Sequence, residues 1–220
     1  MSGPQKQGQN ISWDTFYSEV AQGLEEVQKQ GKSIVLLTQT FASPTTSKLI
    51  SEFKSKFNTV EHVVYDAISE SAAADAYEMK YGRRGLAHYD FSKAKTIVSI
   101  GADFLGDWQG GGFDAAYAKG RVPQHGIMSR HIQFESNMTL SGANADKRIP
   151  LKPSQQKLAL VRLYGKLTGT SVSITLPPAL EVAIDAAAKE LSKAGANGVV
   201  LTGVQDVNAQ GLVIAINEFL

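Results

Sequence analysis

Hydrophobic positions along this chain follow two rhythms. Short unbroken apolar runs read as strands, and apolar residues spaced three and four apart read as helices. Ser12 is placed to cap a helix whose stripe is Trp13, Phe16, Val20, Leu24 and Val27. The run SIVLLTQ, residues 33–39, reads as a strand buried on both faces. Ser43 followed by Pro44 starts a second helix with Leu49, Ile50, Phe53 and Phe57 on its apolar side. VEHVVYD, residues 60–66, is the next strand, and an alanine-rich helix from Ser71 to Tyr81 stops at Gly82.

A strand over Thr96–Ile100 leads into a long glycine-rich passage, after which RHIQFE, residues 130–135, returns to strand. RIPLK, residues 148–152, is short and extended, and Pro150 places it at a sheet edge. Helices follow over 154–169, with Leu158, Val161, Leu163 and Leu167, and from Pro177-Pro178 to Gly195, with Leu180, Ile184, Ala187 and Leu191. GVVLTG, residues 198–203, is a last strand, and residues 206–220 a last helix. Strands alternating with helices imply an α/β protein with mostly parallel sheets and helices on both faces. Ligands in such folds sit at the carboxyl ends of strands, so the loops after Leu37, Asp66, Ile100, Phe134 and Leu201 are the places to look for function.

Composition narrows the chemistry. Lys+Arg of 22 against Asp+Glu of 21 gives a net charge of +1, so no field favours nucleic acid. No apolar window approaches the about 18 residues of a membrane-spanning helix, and MSGPQKQGQN lacks the apolar core of a secretion signal. There is no cysteine, which removes disulfides, thiol nucleophiles and cysteine-ligated clusters from this chain. His62, His88, His125 and His131 have no metal-ligand spacing and read as surface or packing residues.

The stretch TIVSIGADFLGDWQGGGF, residues 96–113, begins as a nucleotide-binding strand and loop does. Yet Gly101-Ala102-Asp103-Phe104-Leu105-Gly106 puts Asp103 where G-x-G-x-x-G has its second glycine. Asp107-Trp108 stands where a P-loop has Lys-Ser, and Gly31-Lys32-Ser33 fails because residue 26 is Glu. Phosphate needs backbone N–H groups and positive charge, and Asp103 and Asp107 oppose it. Those two acids can serve as an acid–base pair or as turn residues. Gly110, Gly111 and Gly112 allow close approach to a ligand or simply a turn. No Gly-x-Ser-x-Gly is present, and Arg83-Arg84 reads as a solvated basic spot. Spacing alone reveals no catalytic set.

SGPQKQGQNISWDTFYSEVAQGL, from Ser2 onward, resembles the segment of molybdopterin oxidoreductases that reads R-L-x-x-P-L, W-x-x-I-S-W-D-E-A and I-A-x-x-L. Further along, that family has a strand ending G-A-N, here Gly101-Ala102-Asp103, and one ending D-P-R, here Glu135-Ser136-Asn137. Thr139, Ala145 and Asp146 match its T-x-x-x-A-D, and IPLKPSQQKLAL keeps Pro153 and Leu158, with Ser154-Gln155-Gln156 in place of G-T-D. GVVLTGVQDVNAQGLVIAINEFL resembles a later strand–glycine–helix.

The resemblance implies that Gly101, Ala102, Asp103, Glu135 and Asp146 line a site for molybdopterin guanine dinucleotide, with Gln156 where an acid meets guanine. By spacing before Gly82, Ser69 takes the position of the metal ligand, and its own setting reads as a helix N-cap. Asp103 for Asn and Gln156 for Asp depart from the family. The branch most similar is the molybdopterin-oxidoreductase-like region of the iron–sulfur subunit of alternative complex III, a quinol:electron-acceptor oxidoreductase. That branch holds no molybdenum in this region, and a ferredoxin-like cluster domain follows it.

The resemblance thus implies two Rossmann-like lobes, residues 10–60 plus 176–220 and an inserted 61–175. It implies a piece of a longer, exported subunit, membrane-associated on the periplasmic side, that docks other subunits of an electron-transfer complex and catalyses nothing alone. Two alternatives stay open: a fragment of a genuine molybdenum-cofactor oxidoreductase, and a small Rossmann-type nucleotide-binding protein.

Overall fold

The computed structural model describes residues 3–39, 43–57, 59–67, 69–123, 126 and 128–220. The chain divides into two units, Met1–Ser69 and Glu70–Leu220.

The first unit opens with an antiparallel hairpin, β1 (Gln5–Lys6) and β2 (Gln9–Asn10). Gln7 and Gly8 between them have φ of +49° and +78°, the two-residue turn whose twist suits a hairpin. α1 (Trp13–Lys29) begins at Ser12, whose Oγ accepts the Thr15 N–H at 3.1 Å. β3 (Ile34–Thr38), α2 (Pro44–Lys56) and β4 (Val60–Val64) form a β–α–β unit with the strands parallel. Ser43 caps α2 through the Thr46 N–H at 3.2 Å, with Pro44 in the first turn. Burial in this unit is thin: among its described residues Phe57 is the one buried apolar side chain. The strand at 34–38 forms, but it is not the buried strand that its composition predicts, because Val35 is 58% and Leu37 65% exposed. An apolar run sets the strand, whereas its covering depends on neighbours that local pattern does not specify.

The second unit contains α3 (Ser71–Tyr81), β5 (Thr96–Ile100), α4 (Asp114–Arg121), β6 (Arg130–Glu135), α5 (Leu140–Ala143) and β7 (Lys147–Pro150). It continues with α6 (Pro153–Thr168), α7 (Pro178–Ala194), β8 (Gly198–Thr202) and α8 (Val207–Phe219). Its sheet is parallel in the order β7-β6-β5-β8, with β5 central and Pro150 ending an edge strand. The fold is Rossmann-like α/β, as the alternation of elements implies. Helix α4 is unannounced in the sequence, since the glycines and single acids around it mask its period.

The two faces of this sheet differ. Val98, Ile100, Ile132, Phe134 and Val200 point to an aliphatic core with α6, α7 and α8. Ile97 and Leu201 point the other way, into an aromatic layer of Phe91, Phe104, Trp108, Phe113 and Tyr117. On that same face β6 presents His131, Gln133 and Glu135, all buried.

The partition differs from the lobes that the resemblance implies. β8 pairs with β5 from Thr96↔Gly198 to Ile100↔Thr202, and α7 and α8 share its core, so residues 176–220 belong with 70–175. Alternation predicts that a strand exists but not which strand it lies beside. No helix among the described residues is long and apolar enough to cross a membrane.

The open edge of β8 is closed by a side chain. Asn217 on α8 accepts the Val200 N–H and donates to the Val200 carbonyl, both at 2.8 Å, as a neighbouring strand would. Asn217→Ala is expected to cost about 1–3 kcal/mol in urea unfolding, and to speed hydrogen exchange at the Val200 amide ahead of its neighbours.

Candidate functional site

From β5 the chain moves to β6 and β7 on one side and later returns to β8 on the other. The strand order therefore reverses between β5 and β8, where folds of this class open a ligand crevice. Here two backbones meet in it. The Gly203 N–H donates to the Ile100 carbonyl at 3.0 Å and Thr202 Oγ1 to the same oxygen at 2.7 Å. A Cβ on Gly203 would run into the Gly101 carbonyl, and Gly101 itself has φ of +72°. The space over Gly101 is taken by Gln156 of α6: a Cβ there would stand 2.8 Å from its Oε1. Gln156 Nε2 in turn donates to Ser136 Oγ at 3.3 Å.

The start of the loop after β5 is tied down by polar contacts. Ser99 Oγ and Gln133 Nε2 both donate to the Ala102 carbonyl at 3.0 Å. Asp103 Oδ1 accepts the N–H and the hydroxyl of Ser141 at 2.8 Å each, and Ser141 Oγ accepts the Leu105 N–H at 2.9 Å. Asp103 is thus a loop anchor, while Asp107 is exposed and precedes a short helical turn. The three glycines 110–112 all have positive φ, which serves a turn.

Glu135, 2% exposed, ends β6. It is ion-paired with Arg148, accepts the Thr139 hydroxyl at 2.6 Å, and receives Gln133 Nε2 at 3.3 Å. Gly142 has no Cβ that could occupy the carboxylate's place.

Asp146 lies elsewhere. It precedes β7 beside His131, whereas Gly101 lies level with Glu135, four residues or about 13 Å further along the sheet. A bidentate Arg121 at 2.8 and 2.9 Å and the His131 N–H at 2.7 Å hold it. Burial pushes its carboxyl up, but Arg121 and that N–H outweigh burial and keep it below the usual range. Of the residues the resemblance assigns to one site, Gly101, Ala102, Asp103, Glu135 and Gln156 come together and Asp146 does not. Ser69 is the last residue of the first unit, and the cap position of α3 falls on Glu70.

A dinucleotide diphosphate is held by helix N–H groups and cations, and several of those beside this crevice are engaged within the chain. The helices that begin beside the crevice carry side-chain caps: Asp206 accepts the Ala209 N–H at 2.9 Å, Thr139 the Gly142 N–H at 3.1 Å, and Gln155 the N–H of the cap residue Lys152 at 2.9 Å. Two adjacent cations are ion-paired, Arg148 with Glu135 and Lys157 with Asp206 at 2.8 Å. No group of His, Asp or Glu among the described residues is arranged to hold a metal ion.

A polar chain on β6 escapes any motif search. Gln133 Nε2 donates to Ala102 and Glu135, so its Oε1 faces His131 Nε2 at 3.1 Å, and that nitrogen carries the proton. Burial holds the ring neutral, with its pKa lowered to about 4. His131 Nδ1 is then an acceptor for the Tyr117 hydroxyl at 3.1 Å, a proton shared with the Asn144 carbonyl at 3.1 Å. The signal was present in RHIQFE, where polar residues alternate with Ile132 and Phe134. His131 is a packing residue as expected, His88 is exposed, and His62 bonds Thr38 at 2.8 Å. His125 lies outside the described residues.

No family model matches the chain, and no curated protein does. Among solved structures, acetylene hydratase from Pelobacter acetylenicus is similar, with a TM-score of 0.54 and 14% sequence identity. The match covers 100% of this chain and 34% of that one, so this chain spans about a third of its length. At such identity the likeness shows the fold alone.

His131 generates a pH prediction. Its folded pKa, about 4, lies below the ordinary 6.5, so the unfolded chain binds the proton first as pH falls. Stability is full above pH 6.5 and falls towards pH 4, by about 3 kcal/mol at most. His131→Gln should remove that slope in urea titrations, and 15N shifts of the native ring at neutral pH should report the Nε2–H tautomer.

Proposed function

We propose that this chain is a molybdopterin-oxidoreductase-like region acting as a scaffold in a respiratory quinol:electron-acceptor oxidoreductase, and that it holds no molybdenum cofactor of its own. The observation that carries this reading is the state of the crevice at β5 and β8. Gln156 covers Gly101, Asp103 is bonded to Ser141, and the flanking cations are paired with carboxylates. These groups are engaged within the chain, and Asp103 adds negative charge where phosphate would lie.

The fold shared with acetylene hydratase supports a molybdopterin-oxidoreductase-like relation at the level of fold, and does not single out alternative complex III among its branches. In the proposed role the region docks neighbouring subunits and a cluster-bearing ferredoxin-like domain on the periplasmic side of a membrane. What supports that branch is the loss of the family's loop residues, with Asp103 for Asn and Gln156 for Asp, and the absence of cysteine.

The test is molybdenum analysis, with pterin fluorescence after acid denaturation, on the longest natural polypeptide containing these residues. Neither molybdenum nor pterin is expected from a preparation that retains its iron–sulfur clusters. Stoichiometric metal and pterin would overturn the reading in favour of a true molybdenum enzyme.

A further inference from the structure

At the amino ends of β5 and β6, the end of the sheet opposite to the Gly101–Gly203 crevice, the second unit carries a cavity of about 810 Å³. All of its lining residues belong to that unit. Its charges are one-sided. Lys95 precedes β5, Arg130 opens β6, Lys119 stands in the last turn of α4 and Lys193 in that of α7. None of these four side chains is ion-paired or hydrogen-bonded among the described residues. Arg130 is felt at longer range by Asp146, which Arg121 already neutralises. Lys93 also lines the cavity, but it is paired with Asp90 at 3.2 Å. Against the four stand Glu190 and the carbonyl ends of α4 and α7, each end worth about half a negative charge. Roughly two positive charges are left without compensation. The wall also holds an unused donor. Ser129 is 7% exposed, its N–H donates to the Gly120 carbonyl at 2.9 Å and its carbonyl accepts Arg121, yet its Oγ has no hydrogen-bond partner. Buried hydroxyls are rarely left in that state. A Cβ on Gly120 would stand 3.1 Å from this oxygen, so the glycine keeps room beside it.

We propose that this cavity binds a small soluble phosphate monoester. Such a group carries close to two negative charges at neutral pH and three strong acceptor oxygens, which matches both the uncompensated charge and the supply of donors. Arg130 offers a planar fork suited to two of those oxygens. Lys95, Lys119 and Lys193 surround the group with point charges, and the Ser129 hydroxyl gains the acceptor that the chain does not give it. The cavity is larger than a phosphate ion and of a size that takes a small organic molecule. Val122 and Met128, 58% and 45% exposed, line the remainder, so the body of the ester is apolar. The two ends of β5 are four residues, or about 13 Å, apart. The inference is therefore independent of the crevice and of the function proposed above.

Titration of the whole 15N-labelled 220-residue chain with phenyl phosphate tests it. Saturable shifts are expected at the amides of Lys95, Gly120, Ser129 and Arg130, with Gly101 and Gly203 unmoved. Phenyl sulfate, which has the same shape and one charge fewer, should bind several-fold more weakly. Arg130→Gln should weaken phenyl phosphate about tenfold, and Lys193→Gln, at an exposed helix end, should weaken it if the first variant does not fold. Ser129→Ala should also weaken binding without lowering the urea midpoint, because the free chain loses no hydrogen bond there. Lys147→Gln, on an exposed lysine outside the cavity, should change nothing. Shifts that never saturate at millimolar phenyl phosphate overturn the proposal. So does equal affinity for the sulfate, or a loss with Lys147→Gln as large as with Arg130→Gln. Binding to phosphatidic acid vesicles with no response to phenyl phosphate would assign the charges to a membrane surface and overturn it too.

Discussion

A carboxylate that is 2% exposed has to be paired wherever it is placed, and Glu135 organises the second unit around that need. Arg148 answers it from β7 and Thr139 from the cap of α5, so the strand that follows and the loop that precedes it are both drawn to one point. Gln133 links the same carboxylate to the Ala102 carbonyl, which fixes the turn after β5. Ser141, the second residue of α5, completes the clasp on Asp103. The absence of a side chain at Gly142 lets the carboxylate lie against that helix. Loops that carry ligands in related architectures are thereby turned inward on each other.

That arrangement has a chemical consequence. A nucleotide crevice works by leaving helix N–H groups and cations without partners until the ligand arrives. Here Asp206, Thr139 and Gln155 cap the helix starts, Arg148 and Lys157 are paired with carboxylates, and the space over Gly101 is filled by Gln156. The site keeps the geometry of strand and turn while its polar groups serve internal cohesion. The buried chain from Tyr117 through His131 to Gln133 extends the same pattern towards the other end of the sheet.

What could be read in advance was what depends on neighbours in sequence. The caps at Ser12 and Ser43, the stops at Gly82 and Gly169, and the proline starts at Pro44 and Pro178 act within one helical turn, and all stand where the chain pattern places them. The bonds that decide function span long separations: Asp103 with Ser141, Lys157 with Asp206, Gly101 against Gly203. No local rule pairs those residues. The same limit explains why β8 lies beside β5 and not in the first unit, and why Asp146 sits at the far end of β6 from Gly101. Helix α4 was hidden for a different reason, since glycines on both sides obscure eight helical residues.

The most direct test of this account is a titration of the 15N-labelled chain with GDP, following the amide resonances of Gly101, Asp103, Gly142 and Gly203. The account predicts that these resonances do not move at millimolar GDP, because Gln156 fills the space over Gly101 and Asp103, Arg148 and Lys157 are bonded within the chain. Saturable shifts confined to those residues would contradict it, and would mean that Gln156 yields its place to a nucleotide.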